Sequence, residues 1–541
     1  MTTSSTSSPA ASTTVVVVGN GPVGQTAALL LARWEIPVLL LDARPARDRI
    51  GSKAICQQRD VLDIWDTVGA GTQIAREGLT WTTSRTFFQD DELFAQTFQD
   101  RGRSPFPPFV NISQTRTEEL LDQQIAATPL IDVRWGHRVV SLQQDDTSVT
   151  VQCETQDGVV EEIGAYALIC AGARGELLRQ LLGVTFDGQT FGDQFLICDI
   201  RTSLPGWEDE RRFYFDPQWN PGRQVLIHPC PDSAFRIDWQ VPQDFDLAAE
   251  EATGALDARI RHIVGDADYE ILWQSVYRFH ARVADKMTVG RVLIAGDSAH
   301  LVAPFGARGL NSGVQDAENA AWKLAYVLRG WAPARLLDSY DAERHAAAEE
   351  NLAVTAATMR FLVPQNEEEA DERLSTLTAA RTDAGAHPRV DSGRLAEPFW
   401  YVESPLSTPN ARLPFTGRPP KGQVPPPGPG VLVPDTIVTV AGQDLPTRLR
   451  LLARGGHTLL AADDVDIEML RMVASDVLMP VAVHEMRELA SDLPELLGAQ
   501  AGEVWVLRPD AHIAAVLPTP DVNTIRSAID RTLAATTGAP V

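Results

Sequence analysis

One stretch, from Thr14 to Asp42, restricts what this chain can fold into more than any other. Val15 to Val18 is a β-branched run of the kind buried on both faces of a parallel sheet. Gly19, Gly21 and Gly24 follow as G-x-G-x-x-G, with Pro22 and Val23 inside the pattern, and Gln25 to Arg33 is Ala/Leu-rich with strong helix propensity. A second apolar run, Val38 to Leu41, ends at Asp42, 23 positions after Gly19. Each residue type has a reason. Gly19 allows the tight turn, Gly21 lets a pyrophosphate approach the backbone, and Gly24 lets helix and strand pack closely. Free N–H groups at the helix start, backed by the helix dipole, hold phosphate charge, and a carboxylate at Asp42 accepts ribose hydroxyls. The unit predicts a dinucleotide cradle. It does not choose between NAD, NADP and FAD.

A chain of 541 residues exceeds a single core and is expected to form two or three domains. Its formal charge of −25 argues against nucleic acid or an anionic membrane as partner, since either needs concentrated basic surface. The cysteines are Cys56, Cys153, Cys170, Cys198 and Cys230, with no C-x-x-C pair and no ligand spacing. Neither a disulfide framework nor a metal site is expected, and reduced thiols fit a cytoplasmic protein. Residues 1–13 read as a disordered Ser/Thr/Ala-rich tail, not a signal peptide, and no apolar run is long enough to span a membrane.

Beyond Asp42 and Ala43, Arg44 and Arg59 are cations placed near the expected nucleotide. A helix is predicted from about Gln57 to Val68 and another over Thr117 to Ala127, with Gln114 just before it. Strands are expected within 79–98, at 132–135, 138–142, 148–153 and 165–170, then repeatedly from about Gln194 to Phe279. That second, antiparallel group reads as a substrate domain inserted into the nucleotide fold. Along it, Phe235, Ile237 and Trp239 alternate with Arg236, Asp238 and Gln240, giving one apolar and one polar face that either roofs a cavity or meets water.

Arg291 to Ala295 is a further buried strand, leading to Gly296-Asp297-Ser298-Ala299-His300. Asp297 therefore ends a strand where a doubly wound sheet presents ligands. Gly306, Ala307 and Gly309 are small enough for a flat ring system to lie on the backbone, and a helix expected from near Ser312 aims its dipole there.

The glycine cradle, the Gly296–His300 segment, Pro304, Gly306-Ala307-Arg308-Gly309-Leu310-Asn311, Asp316 to Leu324 and Leu337-Asp338-Ser339-Tyr340-Asp341-Ala342-Glu343-Arg344 together resemble the FAD-dependent aromatic hydroxylases. These are single-component flavoprotein monooxygenases of the p-hydroxybenzoate and phenol hydroxylase family, and the likeness is to the 3-(3-hydroxyphenyl)propionate hydroxylase-like branch. The resemblance implies FAD as cofactor, NADH or NADPH as co-substrate, and O2 delivered through a flavin C4a-hydroperoxide to a phenolic ring. It implies that Gly19, Gly21 and Gly24 cradle the pyrophosphate and that Asp42 meets the adenosine ribose, with Pro22, Val23 and Ala43 as further cofactor-binding residues. Arg44, Arg59, Gln114 and Val139 would line the cofactor. Asp297 would hold the ribityl chain, Gly309, Leu310 and Asn311 would contact the flavin ring with Pro304 near it, and Gly172 is a further cofactor-binding residue. No side-chain nucleophile is expected, and the catalytic residues are left unassigned. Pro304, His228, Arg236 and Trp239 are candidate substrate contacts. The family usually has Asp-Gly where this chain has Ala171-Gly172, which puts the usual engagement of the nicotinamide nucleotide in question.

The expected fold class is α/β (α+β overall): a Rossmann-like FAD-binding domain (14–78, 111–185 and 285–400), an inserted antiparallel-sheet substrate domain (79–110 and 186–284), a Pro-rich linker (401–434) and a C-terminal domain (435–541). The last resembles the thioredoxin-like domain of phenol hydroxylase relatives but has no cysteine, so a structural or homodimer-forming role is expected. Two competing readings remain open: an epoxidase, Baeyer–Villiger-type oxygenase or oxidase on the same scaffold, and a nucleotide-binding protein that has lost catalysis.

Overall fold

The computed structural model describes residues 13–48, 51, 53–97, 103–393, 395, 397–413 and 425–535. The expected tail therefore lies almost wholly outside the described residues, as does the middle of the Pro-rich stretch.

Val15–Val18 sits inside a six-stranded sheet. Its neighbours are Tyr166–Ile169 on one side and Val38–Asp42 on the other, both parallel to it. Val292–Ile294 adds beyond the first, and Ile131–Trp135 beyond the second, again parallel. The short edge strand Thr288–Val289 is antiparallel. Val15, Val16 and Val17 are fully buried, each contributing about 2 kcal/mol by removal from water. Helix Pro22–Arg33 covers one face together with helix Gln114–Ala126 and the long helix Arg308–Leu328.

Helix boundaries moved in three places. Cys56–Gln58 forms a strand paired with Phe109–Asn111, so the helix expected from Gln57 begins at Arg59 and ends at Asp66. The helix expected from Thr117 begins at Gln114, because Ser113 caps it by accepting from the Arg116 N–H at 3.1 Å. The helix expected near Ser312 begins at Arg308, entered through Ala307 at φ 57°. At Gln114 and Arg308 a local cap or turn outweighs periodicity at the element's end, and at Arg59 pairing with the strand Phe109–Asn111 does.

The second sheet has eight strands, in spatial order His300–Leu301, Tyr269–Ala284, Phe186–Thr202, Ala234–Val241, Val225–Cys230, Glu210–Phe215, Thr83–Phe88 and Asp91–Thr97. All neighbours are antiparallel except the pair Glu210–Phe215 and Thr83–Phe88. Both faces are covered. Phe235, Ile237 and Trp239 share a core with Leu256, Ile260 and Val264 of helix Ala255–Val264. The opposite face carries Phe195, Phe213, Phe215 and Leu226 against Phe305, Met359 and Leu362.

A third, four-stranded sheet runs Val481–Glu485, His457–Ala461, Glu503–Leu507, Ile513–Pro518, the first pair parallel and the rest antiparallel. Trp322 and Tyr326, from the long helix, are buried in its core beside Leu470, Val473 and Ile529. The stretch expected as a linker is packed where it is described: Leu406, Val431, Leu432 and Val433 are buried, and Val431 O accepts from the Ile513 N–H at 2.9 Å.

Candidate active site

The carboxyl ends of three adjacent parallel strands, Val38–Asp42, Val15–Val18 and Tyr166–Ile169, converge with that of Val292–Ile294 on one rim. Gly19 turns there at φ +108°, and a Cβ on it would meet Cys170 O at 2.2 Å. A Cβ on Gly24 would meet Gly19 O at 1.8 Å, so helix and turn touch through bare backbone. Gly21 is different: a Cβ there would meet nothing within 4 Å, so open ground lies before the helix start where the first N–H groups have no helical acceptor.

Asp42 faces the same turn. Its Oδ2 accepts from the Asn20 N–H at 2.8 Å, and Oδ1 from the Arg44 N–H at 2.8 Å and Nε at 3.0 Å. Burial pushes its carboxyl up, but these donors outweigh burial and hold it below the usual range. The exposed Ala43 follows it, and Gly136 N–H bonds to Arg44 O while His137 N–H bonds to Asp42 O, which brings buried Val139 to the rim. Sequence reasoning passed over Arg47. Its guanidinium bonds Asn20 O, Asn20 Oδ1, Glu118 and Asp122 at 2.7–2.8 Å, tying the turn to helix Gln114–Ala126. The pattern Asp42-x-Arg44-x-x-Arg47 was its only trace in the sequence.

The Asp297 segment reaches the same place. Val23 is the wedge: a Cβ on Gly313 would lie 2.6 Å from its Cγ2, and one on Gly296 3.1 Å away. Gly172, at φ +66°, accepts from Ser298 Oγ at 3.1 Å. Asp316 clamps the segment from behind, accepting the Gly296 N–H at 2.9 Å, His300 Nε2 at 2.7 Å and Arg344 Nε at 2.6 Å. Burial raises the Asp316 carboxyl, and Arg344 and His300 outweigh that to bring it down to about 2. Asp297 itself is accessible yet ringed by protein, as on a cleft wall, and this enclosure raises its carboxyl despite His300 and Lys53.

From the cleft floor Pro304, exposed, begins the turn that Ala307 N–H closes onto Pro304 O at 2.9 Å. Gly309 and Leu310 open the long helix. Asn311 Oδ1 accepts the Gln58 N–H at 3.0 Å and its Nδ2 donates to Cys56 O at 2.9 Å and Ala307 O at 2.6 Å. Arg59 follows Gln58, with its Nε on Phe106 O, and Gln114 Oε1 accepts the Ala54 N–H at 3.1 Å. Close approaches thus join the Gly19 turn, Val23 and the Asp297 segment, and hydrogen bonds join Asn311 to the Cys56–Gln58 strand and Gln114 to Ala54.

The substrate candidates divide. Phe305 packs edge-on against Phe195 and Phe279, at 5.7 and 5.8 Å between ring centres, so the Pro304 turn lies on the inner face of the eight-stranded sheet. That face bears His228 and Arg236, which are register partners. Arg236 is buried and held by Asp199 at 2.8 and 3.2 Å and by Lys53 O at 2.9 Å. Trp239 is a correction. The strand alternation turns it to the outer face, into the core under helix Ala255–Val264, away from Pro304. Arg211 and Asp238, not singled out from the sequence, share the inner face.

The family model for the FAD binding domain matches residues 12–355. The chain belongs to that family. Among curated proteins it is 27% identical over 370 residues to a 3-(3-hydroxy-phenyl)propionate/3-hydroxycinnamic acid hydroxylase of Comamonas testosteroni, covering 67% of this chain and 61% of that one. It is 28% identical over 352 residues to a para-nitrophenol 4-monooxygenase of Pseudomonas sp. (strain WBC-3), covering 63% of this chain and 84% of that one. The chain thus spans about three-fifths of the length of the hydroxyphenylpropionate hydroxylases it matches. Among solved structures its fold is similar to the flavin-dependent monooxygenase PieE in complex with FAD and substrate, with a TM-score of 0.84, 23% identity and coverage of 98% of this chain and 100% of that one.

The chain's cradle fits FAD on its own terms. The turn is bare where a pyrophosphate needs backbone, Asp42 is held ionised at the end of the second strand, as a ribose acceptor requires, and Asp297 is accessible beside the same turn.

Proposed function

We propose that this protein is an FAD-dependent monooxygenase that hydroxylates a phenolic ring with NADH or NADPH and O2. The observation that carries the reading is the meeting of the Gly19 turn and the Asp297 segment across Val23, at the carboxyl ends of the parallel strands. Curated relatives named as phenol-type hydroxylases support it.

In this reading the N–H groups of Gly21, Val23 and Gly24 hold the pyrophosphate, and Asp42 accepts the ribose hydroxyls. Arg44, Arg59 and Gln114 line the cofactor, with Val139 beside the adenine. Gly172 and Asp297 hold the ribityl chain, while Pro304 and Gly309 to Asn311 lie along the ring. Bound FAD supplies the two-electron store and the ring at which O2 is activated. The chain's own part is orientation and dryness: Phe195, Phe213, Phe215, Phe279 and Phe305 form an apolar wall that keeps water from the reacting centre.

The domain boundaries given above belong to the same proposal: the six-stranded sheet for cofactor, the eight-stranded sheet for substrate. The C-terminal sheet is read as a thioredoxin-like module in a structural role, since it holds no cysteine. A cytoplasmic location and a homodimer complete the reading; no helix among the described residues is long and apolar enough to cross a membrane. The test is direct. Purified protein should be yellow and should oxidise NAD(P)H faster when a phenol is added, giving a product heavier by one oxygen. Protein without flavin would overturn the reading in favour of a binding module, and oxygen inserted as an epoxide or ring ester would overturn it in favour of another oxygenase.

A further inference from the structure

A small cavity lies on the seam between the C-terminal domain and the two helices Pro22–Arg33 and Arg308–Leu328. Its wall includes Arg33 and Thr67 on one side, Glu318 and Trp322 on the second, and Arg454 with Pro509 on the third. It has room for one guest of about the size of a water molecule or a halide ion. Two buried donors on that wall have no acceptor. Trp322 and Arg454 are 1% and 2% exposed, and neither Trp322 Nε1 nor Arg454 Nη1 has a hydrogen-bond partner among the described residues. An indole and a guanidinium can only donate, so the pair calls for a guest that accepts.

The charges around the cavity give the guest its sign. Arg454 Nε donates to Glu318 Oε1 at 2.5 Å, so these two neutralise each other. Arg33 Nη1 donates to Arg454 O at 2.8 Å, and Arg33 has no ion pair among the described residues. The other carboxylates nearby are taken, Asp63 by Arg448 and Arg450, and Asp510 by Arg508. Crowding by protein and the charge of Arg454 hold the Arg33 guanidinium below its ordinary value, with Glu318 pulling the other way. Burial raises the Glu318 carboxyl despite Arg454. Thr67 Oγ1 already donates to Ile64 O at 2.6 Å and is no donor to the guest. One positive charge, that of Arg33, is left over.

We infer that this cavity is a site for one small monovalent inorganic anion of the size of chloride, held by Trp322 Nε1, Arg454 Nη1 and Arg33, which staples the C-terminal domain to the two helices. The site is independent of the reaction assigned above. A halide matches each requirement: it accepts from several donors at once, needs no acceptor in return, and its single charge balances Arg33. Water fits less well, because its own hydrogens would find only Glu318 and the charge of Arg33 would stay unbalanced. A phosphate or a carboxylic acid anion is too large for a space that holds one water-sized guest. The donors stand on opposite sides of the seam, Arg454 on the C-terminal domain and Arg33 and Trp322 on the helices, so a bound anion resists their separation.

The test uses the full chain as purified, freed of halide by dialysis, with sodium bromide as probe. A crystal soaked in bromide should show an anomalous bromine peak in the cavity, within hydrogen-bonding reach of Trp322 Nε1 and Arg454 Nη1. In solution the thermal midpoint should rise as bromide replaces gluconate, an anion too large for the cavity, at fixed ionic strength. W322F and R33Q should each need about tenfold more bromide for the same rise, the loss expected of one hydrogen bond to an ion. R33K, which keeps the charge, should need less than R33Q. Should W322F not fold, R33Q and R33K carry the test. A water in the cavity with no bromine peak overturns the inference, as does a midpoint that responds to bromide equally in wild type and every variant. A peak without a rise in the midpoint means binding at crystal concentration only and overturns it too.

Discussion

Arg508 grips both carboxylate oxygens of Glu343, at 2.5 and 3.0 Å, across the boundary between the C-terminal sheet and the helix Asp338–Leu362. Lys323 adds a bond at 2.7 Å and Asn319 one at 2.8 Å, and all four side chains are buried. The next residue, Arg344, holds Asp316, and Asp316 holds the backbone beside Asp297. A row of buried charge thus runs from the third sheet to the cofactor cleft.

Removing one partner of such a pair strands the other. R508M should cost about 3–5 kcal/mol, seen as a lowered thermal midpoint, and should loosen flavin as well. An unchanged midpoint would mean that water already reaches Glu343.

Gly313 should tolerate no side chain while Val23 is present. G313A drives a methyl to within 2.6 Å of Val23, so we expect a loss of about 1–3 kcal/mol and reduced flavin content. The double variant V23A/G313A should recover part of both, measured as a double-mutant cycle. Simple additivity would show that the two residues do not meet.

Why this contact was invisible in the sequence is instructive. Gly24 was legible because its role lies within one turn and helix, and local geometry repeats wherever the pattern occurs. Gly296 and Gly313 take their role from Val23, nearly three hundred residues away, and spacing carries no trace of that. The parallel sheet was legible in its β-branched runs. The strand at Cys56–Gln58 was not, because it needs Phe109–Asn111 as partner. Alternation correctly separated Trp239 from Arg236, but only the helix Ala255–Val264 decides which face is inside. Arg47 and Arg508 were unreadable for a related reason: a buried arginine looks like a solvated one until its carboxylates are in place.

Asp42 should matter for affinity more than for folding. D42A leaves the Asn20 N–H without its acceptor, strips the Arg44 guanidinium of its bonds to this carboxylate and, on the proposed reading, removes a ribose contact. We expect FAD to bind at least tenfold more weakly, about 1.4 kcal/mol, in titrations of the flavin-stripped protein. Unaltered affinity would place the ribose elsewhere.

Acid sensitivity has a defined sign at Asp316. Its carboxyl sits at about 2 in the folded chain and near the ordinary aspartate value when unfolded. The unfolded state therefore binds more protons between the two, so this stabilisation is full above about pH 4 and lost as pH falls toward 2. D316N should flatten the acid limb of the stability curve in that window, by roughly 2 kcal/mol. Asp238, raised to about 7, has the opposite sign: it favours the fold at low pH and loses that contribution as pH rises from about 4 to 7.

The nucleotide released from purified protein tests most directly whether two distant segments hold one cofactor. The prediction is one FAD per chain in wild type, with occupancy lost in both G21E, which blocks the open ground before the first helix, and D297A, while each variant remains folded by circular dichroism. A different nucleotide in wild type, or full FAD occupancy in either variant, would contradict it.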